Sequence, residues 1–139
     1  MRSVREVMST NVDVCTPLDN VFEVATKMKD LNVGAIPIVE NNQIIGMITD
    51  RDLVVRGIAE KHPGSNPVTN VMSENLVTIS PDASLEEASN LMAENQIRRL
   101  PVVENGQLVG IVSLGDLATN QYSDDSAGEA LSEISEDHL

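Results

Sequence analysis

The chain has 139 residues and carries 22 acidic against 9 basic side chains, a formal net charge of −13. Nucleic-acid surfaces need an excess of Lys and Arg, so this charge argues against a nucleic-acid partner. Phe22 is one of only two aromatic residues, which excludes a base-stacking platform. No apolar run approaches the roughly 18 residues of a membrane span, and the first residues lack the apolar stretch of a signal peptide. Composition therefore predicts an acidic, soluble, cytoplasmic protein without a membrane partner.

The residues that usually carry metals or catalysis are sparse. Cys15 is the single cysteine, and its place in a strand-like run predicts a buried apolar role. His62 and His138 stand far apart without clustered ligands, so we expect no metal site. The sequence has no nucleophile–base pair and no Walker loop. We therefore expect no enzymatic activity.

An internal repeat organises the chain. A shift of 64 positions aligns Val7–Leu53 with Val71–Leu117 without a gap, and fifteen of the 47 aligned positions are identical. The residues between the copies, 60–68, are rich in Pro, Gly and Asn, as is typical of a linker. These features predict one repeat at residues 4–60, a second at 68–119 and an acidic tail at 120–139.

Taken in chain order, each repeat predicts the same elements. Residues 12–15 and 76–79 are short strand-like runs, and each is followed by a helix, which Asp19 or Asn20 caps in the first repeat and Ser84 in the second. A β-hairpin with an Asn-rich turn comes next, and then a second helix, whose apolar side in the first repeat is Leu53, Val54 and Ile58. The fold class is therefore α+β, with the order β-α-β-β-α twice. A lobe of about 60 residues buries too little surface alone, so we expect the copies to pack about a pseudo-two-fold axis that creates paired clefts.

The tail concentrates negative charge. It holds six acidic residues and no Lys or Arg, a composition typical of disorder. A short amphipathic helix that packs on a partner chain is the alternative; its apolar side would consist of Ala127, Ala130, Leu131 and Ile134.

One motif, G-x-x-[ST]-x-x-D, occurs in both repeats, at Gly46–Asp52 and Gly110–Asp116. An ionised Asp only accepts hydrogen bonds, which suits two adjacent ribose hydroxyls. A Thr or Ser at the change from strand to helix presents its hydroxyl beside free N–H groups, where phosphate is favourable. Two structural alternatives stay open: the aspartates act only as acidic residues in a helix's first turn, and the glycines only form a bulge or tight bend.

These residues resemble a tandem pair of CBS domains, the Bateman module, over about residues 4–119. The resemblance rests on Val-Met-Ser before each first strand, on Ile36-Pro37 and Leu100-Pro101, and above all on the duplicated motif. It implies clefts between the repeats that bind AMP, ADP or ATP, with S-adenosylmethionine less favoured and no further cofactor required. The implied ribose contacts are Asp52 and Asp116, the implied phosphate contacts are Thr49 and Ser113, and the implied adenine pocket consists of Thr16, Pro17, Ala35, Ile36, Pro37, Ser80, Pro81, Leu100 and Pro101.

Arg98 and Arg99 distinguish the second repeat, since Gly34 and Ala35 occupy the equivalent positions in the first. A polyphosphate needs local cations in a protein of charge −13, and two guanidiniums supply bidentate contacts. The resemblance agrees with this role. The alternative is a solvated pair salt-bridged to acidic neighbours, Glu94 or Glu104.

Two functions remain as hypotheses. The leading one is a regulatory module that senses adenine nucleotides and is read by an unidentified protein partner. The alternative is a nucleotide-independent homodimerisation scaffold in which Val54, Ile58 and Leu117 on the final helices meet a second chain.

Overall fold

The computed structural model describes residues 2–120, which fall into two compact units. The first unit is Asp13–Leu76, and the second joins residues 2–12 to those from Val77 onward. The helix or disorder predicted for the tail beyond Asn120 lies outside the described residues. Within residues 2–120, no helix has the length and apolar character needed to cross a bilayer.

The observed elements follow the predicted order of helices and strands, which confirms the mixed fold of two repeats. The predicted strands at 12–15 and 76–79 shrink to single bridged residues, because only Cys15 and Ile79 pair with a neighbour. The elements are α1 (Val4–Val7), α2 (Val21–Leu31), β1 (Ala35–Glu40), β2 (Gln43–Thr49), α3 (Asp50–Asp52) continuing into a π-helix (Leu53–Ile58), a 3₁₀ turn (Val68–Asn70), α4 (Leu85–Asn95), β3 (Arg99–Glu104), β4 (Gln107–Ser113) and α5 (Leu114–Thr119).

Each long helix begins at a capping residue that the sequence indicates. At the start of α2 the Asn20 side chain accepts a hydrogen bond from the Glu23 N–H at 2.8 Å, and the Glu23 carboxylate accepts one from the Asn20 N–H at 3.0 Å. This reciprocal arrangement is a capping box, and it selects Asn20 over Asp19. At α4 the Ser84 hydroxyl accepts from the Glu87 N–H at 3.1 Å.

The two hairpins have matching registers. Strand β1 is antiparallel to β2 with Ala35 opposite Thr49, and β3 is antiparallel to β4 with Arg99 opposite Ser113. In the first hairpin both turn residues, Asn41 and Asn42, have positive φ values, as tight two-residue turns require. In each hairpin, the start of the first strand therefore lies beside the end of the second strand.

A short segment at the start of each repeat completes the hairpin of the other repeat. Ser73 pairs with Met47 on β2, and Ser9 pairs with Ile111 on β4. Val71 and Met72 join the core of the first unit, while Val4 joins that of the second. The predicted domain boundaries follow the sequence repeats. In the structure, each compact unit instead contains the Val-Met-Ser segment of the other repeat.

The second helix of the first repeat carries both exposed and half-buried apolar side chains. Its continuation Leu53–Ile58 is a π-helix in which the Ala59 N–H donates to the Val54 carbonyl at 2.8 Å. Val54 is 56% exposed and Ile58 is 73% exposed, as a surface that meets a second chain would require, whereas Leu53 packs half-buried against the core of the first unit. Leu117 was expected on the equivalent outer surface, but it is completely buried because it packs into the core of the second unit. The prediction of an exposed Leu117 is therefore wrong.

Candidate functional site

The first junction lies where β2 ends and α3 begins. The Asp52 N–H donates to the Thr49 hydroxyl oxygen at 3.1 Å, and the Thr49 N–H donates to Asp52 Oδ2 at 2.9 Å. The backbone of Thr49 is extended, as a residue that precedes a helix requires. The hydroxyl and the carboxylate therefore hold one another at the start of the helix.

The second junction repeats this geometry with Ser113 and Asp116. The Asp116 N–H donates to the Ser113 hydroxyl oxygen at 3.0 Å, and the Ser113 N–H donates to Asp116 Oδ2 at 2.8 Å. The backbone angles of Ser113 and Thr49 agree within about 2°. One physical arrangement thus stands at equivalent positions in both units.

The helix caps occupy only some of the hydrogen-bonding atoms of these side chains. Both aspartates are half-buried, and Oδ1 of each accepts no hydrogen bond from any residue between 2 and 120. The Thr49 and Ser113 hydroxyls accept a bond but donate none to that stretch of the chain, so each keeps a proton for a further acceptor. Capping and ligand binding are therefore compatible: one carboxylate oxygen caps the helix, and the other remains an acceptor.

Two arginines belong to the second junction. Arg99 is the register partner of Ser113, and the Leu114 N–H donates to the Arg98 carbonyl at 2.8 Å. Both side chains are exposed, and neither forms an ion pair inside the described segment. Glu104, one of the acidic partners considered for them, instead binds Arg5 at 2.7 Å. The arginines are thus available beside the hydroxyl that is expected to meet phosphate.

The residues expected to enclose adenine fall into two groups, and only one lies near a junction. Ile36 and Leu100 are close to each hairpin start, but their side chains are 1% and 0% exposed because they fill the two cores. Pro37 and Pro101 are buried as well, while Ala35 is half-buried. Around the junctions these positions can therefore contact a ligand through main-chain atoms, but they present no broad side-chain surface to it.

The structure does not bring Thr16 and Pro17 to the first junction. Cys15 bridges Ile38 in a parallel sense, so the chain after Cys15 runs toward the far end of β1, away from the Thr49 side. The parallel bridge between Ile79 and Val102 carries Ser80 and Pro81 away from Ser113 in the same manner. A strand direction is set by tertiary pairing, which the spacing of these prolines does not reveal. The residues that precede each bridge, such as Asp13, lie toward the junction end of the strand instead.

The two repeated glycines are explained by packing. A Cβ on Gly46 would lie 2.6 Å from Met72 Sδ and 3.0 Å from the Ser73 carbonyl oxygen. A Cβ on Gly110 would lie 2.8 Å from both Met8 Sδ and the Ser9 carbonyl oxygen. The glycines therefore admit the close approach of the Val-Met-Ser segments, and a bulge follows their strand partners.

A separate cavity of about 390 Å³ opens on the first unit. None of the residues predicted to bind a ligand lines it. One wall contains Arg56, whose Nη1 donates to the Met72 carbonyl at 3.1 Å. The lining residues are Arg56, Thr69, Asn70, Met72, Ser73, Glu74 and Asn75.

Cys15 lies in the core of the first unit, as expected from its strand position. Burial raises the pKa of its thiol to about 11, so the side chain stays neutral and unreactive at physiological pH. Across residues 2–120, no three His, Cys, Asp or Glu side chains group into a potential metal site.

Comparison with known proteins places these features in context. The family model of the CBS domain matches residues 4–57 and 68–121. The CBS domain-containing protein YhcV of Bacillus subtilis is 51% identical over 139 residues, which span 100% of this chain and 99% of YhcV.

Two solved structures share the fold. Hypoxic Response Protein I, crystallised with two coordinated zinc ions, matches with a TM-score of 0.79 and 31% identity, over 86% of this chain and 98% of that protein. CBSX2 in complex with AMP matches with a TM-score of 0.79 and 25% identity, over 90% of this chain and 99% of CBSX2.

Proposed function

Because this chain belongs to the CBS-domain family, we propose that it is a regulatory module that binds adenine nucleotides and catalyses no reaction of its own. The observation that supports this most is the duplicated junction. At each junction the aspartate uses one oxygen in the helix cap and keeps the other without a hydrogen bond from residues 2–120, beside a hydroxyl that donates no proton to them. The AMP complex of CBSX2 supports the ligand class.

Each group at a junction has a distinct role in this proposal. The free Oδ1 atoms of Asp52 and Asp116 accept hydrogen bonds from ribose hydroxyls, and the Thr49 and Ser113 hydroxyls donate to the 5′ substituent. Main-chain atoms at the start of each hairpin, Ala35–Pro37 and Leu100–Pro101, face the base. Arg98 and Arg99 add phosphate contacts at the second junction only.

The proposal predicts that AMP, ADP or ATP binds the parent protein and that replacing both aspartates by asparagine weakens this binding. An asparagine oxygen can still accept the capping N–H, but its NH₂ group places a donor where a ribose hydroxyl needs an acceptor. We expect at least a tenfold loss of affinity by calorimetry, because a mispaired buried polar contact costs about 1–3 kcal/mol. Urea unfolding of the same variants checks that the fold is intact. Equal nucleotide affinity in parent and double variant would contradict the proposal.

A second candidate, a homodimerisation scaffold, is favoured by one observation. Val54, Val55 and Ile58 project from a single helical turn with exposures of 56%, 45% and 73%. Adjacent apolar side chains of this size at the surface are typical of an interface. A second copy of the chain would bury them without any nucleotide.

The scaffold candidate predicts that Ile58→Glu converts a dimer into a monomer, because an unpaired charge would be buried in the interface. Light scattering after size exclusion measures the mass. Gln107→Glu, which adds the same charge at an exposed hairpin tip, is the matched control and should leave the mass unchanged. A parent protein that elutes as a monomer would rule this candidate out, as would a dimer that survives Ile58→Glu.

A further inference from the structure

We propose that Asp50 makes the first junction selective for adenosine ligands whose 5′ substituent carries no negative charge. This inference rests on the proposed function, and it assigns different ligand classes to the two junctions. It arises from a difference in charge between two sites that otherwise have the same backbone geometry.

At the first junction, the Asp50 side chain lies over a glycine. The Asp50 N–H donates to the Gly34 carbonyl at 2.9 Å, which fixes the residue beside the start of β1. Asp50 Oδ2 lies 3.2 Å from the point where a Cβ on Gly34 would stand. The carboxylate therefore occupies space that a side chain at position 34 would otherwise need.

The Asp50 carboxylate is fixed at one oxygen and unpaired at the other. Its Oδ1 accepts from the Arg51 N–H at 2.8 Å, whereas no residue in the 2–120 stretch donates to Oδ2 or forms an ion pair with the carboxylate. Asp50 and Asp52 both follow Thr49 within three residues, so two carboxylates accompany the hydroxyl expected to meet a 5′ substituent. Like charges this close repel, and a phosphate at this position would meet both carboxylates.

The second junction carries the opposite charge at the equivalent positions. Leu114 replaces Asp50, and it is only 8% exposed because it packs into the core. Arg98 replaces Gly34, and its carbonyl accepts the equivalent hydrogen bond from the Leu114 N–H at 2.8 Å. The same backbone contact thus presents a carboxylate in one unit and a guanidinium in the other.

The pairing is chemically consistent within each unit. A glycine at position 34 leaves the space that Asp50 fills, and a buried leucine at position 114 leaves the surface to Arg98. The first junction consequently fits a nucleoside with a neutral or cationic 5′ group, while the second fits a phosphorylated nucleoside.

Calorimetry on Asp50→Asn tests this inference. The experiment uses the full chain with Asp116→Asn, Arg98→Ala and Arg99→Ala, which weakens binding at the second junction most, and compares adenosine with ATP at the first. Asparagine keeps an oxygen for the Arg51 N–H while removing the charge. We expect ATP affinity to rise about tenfold and adenosine affinity to stay within twofold, because only the anionic ligand senses the removed carboxylate.

Glu40→Gln is the matched control, since it removes the same charge from an exposed position at the hairpin tip of the same unit. It should change ATP affinity by less than twofold. An equal gain in Glu40→Gln would assign the effect to the net charge of −13 and overturn the role of Asp50, as would an unchanged ATP affinity in Asp50→Asn while adenosine still binds. Failure of adenosine to bind the parent or the variant would instead overturn the proposed function itself at this junction.

Discussion

Replacing Gly110 by alanine is expected to lower the free energy of unfolding by about 1–3 kcal/mol, the usual cost of forcing extra volume into a packed site. The added Cβ would lie 2.8 Å from the Ser9 carbonyl oxygen. That carbonyl accepts from the Ile111 N–H at 2.9 Å, and the Ser9 N–H donates to the Ile111 carbonyl at 2.8 Å. The segment therefore cannot move aside without losing both hydrogen bonds. Urea unfolding, followed by circular dichroism, measures the loss.

Gly46→Ala should behave similarly, since its Cβ would meet Met72 and the Ser73 carbonyl oxygen. Gly115→Ala is the control: the nearest atom to its Cβ lies at an ordinary 3.6 Å, and alanine favours a helix over glycine by about 0.5–1 kcal/mol. We expect that control to be neutral or slightly stabilising. Unfolding midpoints that stay the same in Gly46→Ala and Gly110→Ala would contradict the packing of the Val-Met-Ser segments described above.

The second large effect concerns phosphate recognition. Replacing Arg98 and Arg99 together by alanine is expected to weaken ATP binding about 100-fold, about tenfold for each lost charge-assisted contact at roughly 1.4 kcal/mol. Adenosine affinity should stay within twofold, because adenosine carries no phosphate for the arginines to contact. Isothermal calorimetry with adenosine, AMP and ATP measures the difference.

Lys29→Ala controls for this experiment, because it removes one exposed positive charge from helix α2. Its ATP affinity should change by less than twofold. Arg99→Lys should retain part of the binding, since an ammonium supplies charge without the bidentate geometry of a guanidinium. An ATP affinity unaffected by the double substitution would remove the arginines from the site.

Local signals in the sequence were sufficient for most elements of the fold. Asn20 and Ser84 initiate helices through side-chain oxygens, and the turn at Asn41–Asn42 closes a hairpin through positive φ values, so each acts within a few residues. The segments at Cys15 and Ile79 form only single bridges, which depend on a partner strand more than twenty residues away. The local sequence pattern therefore could not predict the direction in which these two segments run.

The candidate site likewise combines local features, which the sequence predicts, with long-range features, which it does not. The Thr49–Asp52 pair is local, so its spacing predicted the strand-to-helix junction that the structure contains. The burial of Leu117 depends on the packing of the whole core, and the place of Asp50 depends on Gly34, sixteen positions earlier. The change from Gly34 and Ala35 to Arg98 and Arg99 was the sequence signal that pointed to a difference between the junctions, and the change from Asp50 to Leu114 adds to it.

The most direct measurement is a titration of ¹⁵N-labelled protein with adenosine, followed amide by amide in NMR spectra. We expect the largest shift changes at residues 49–52 and 113–116, and we expect Asp52→Asn and Asp116→Asn each to remove one of these two sets. Shift changes centred on Thr69–Asn75, around the cavity at Arg56, would contradict this expectation, and so would spectra that adenosine leaves unaltered.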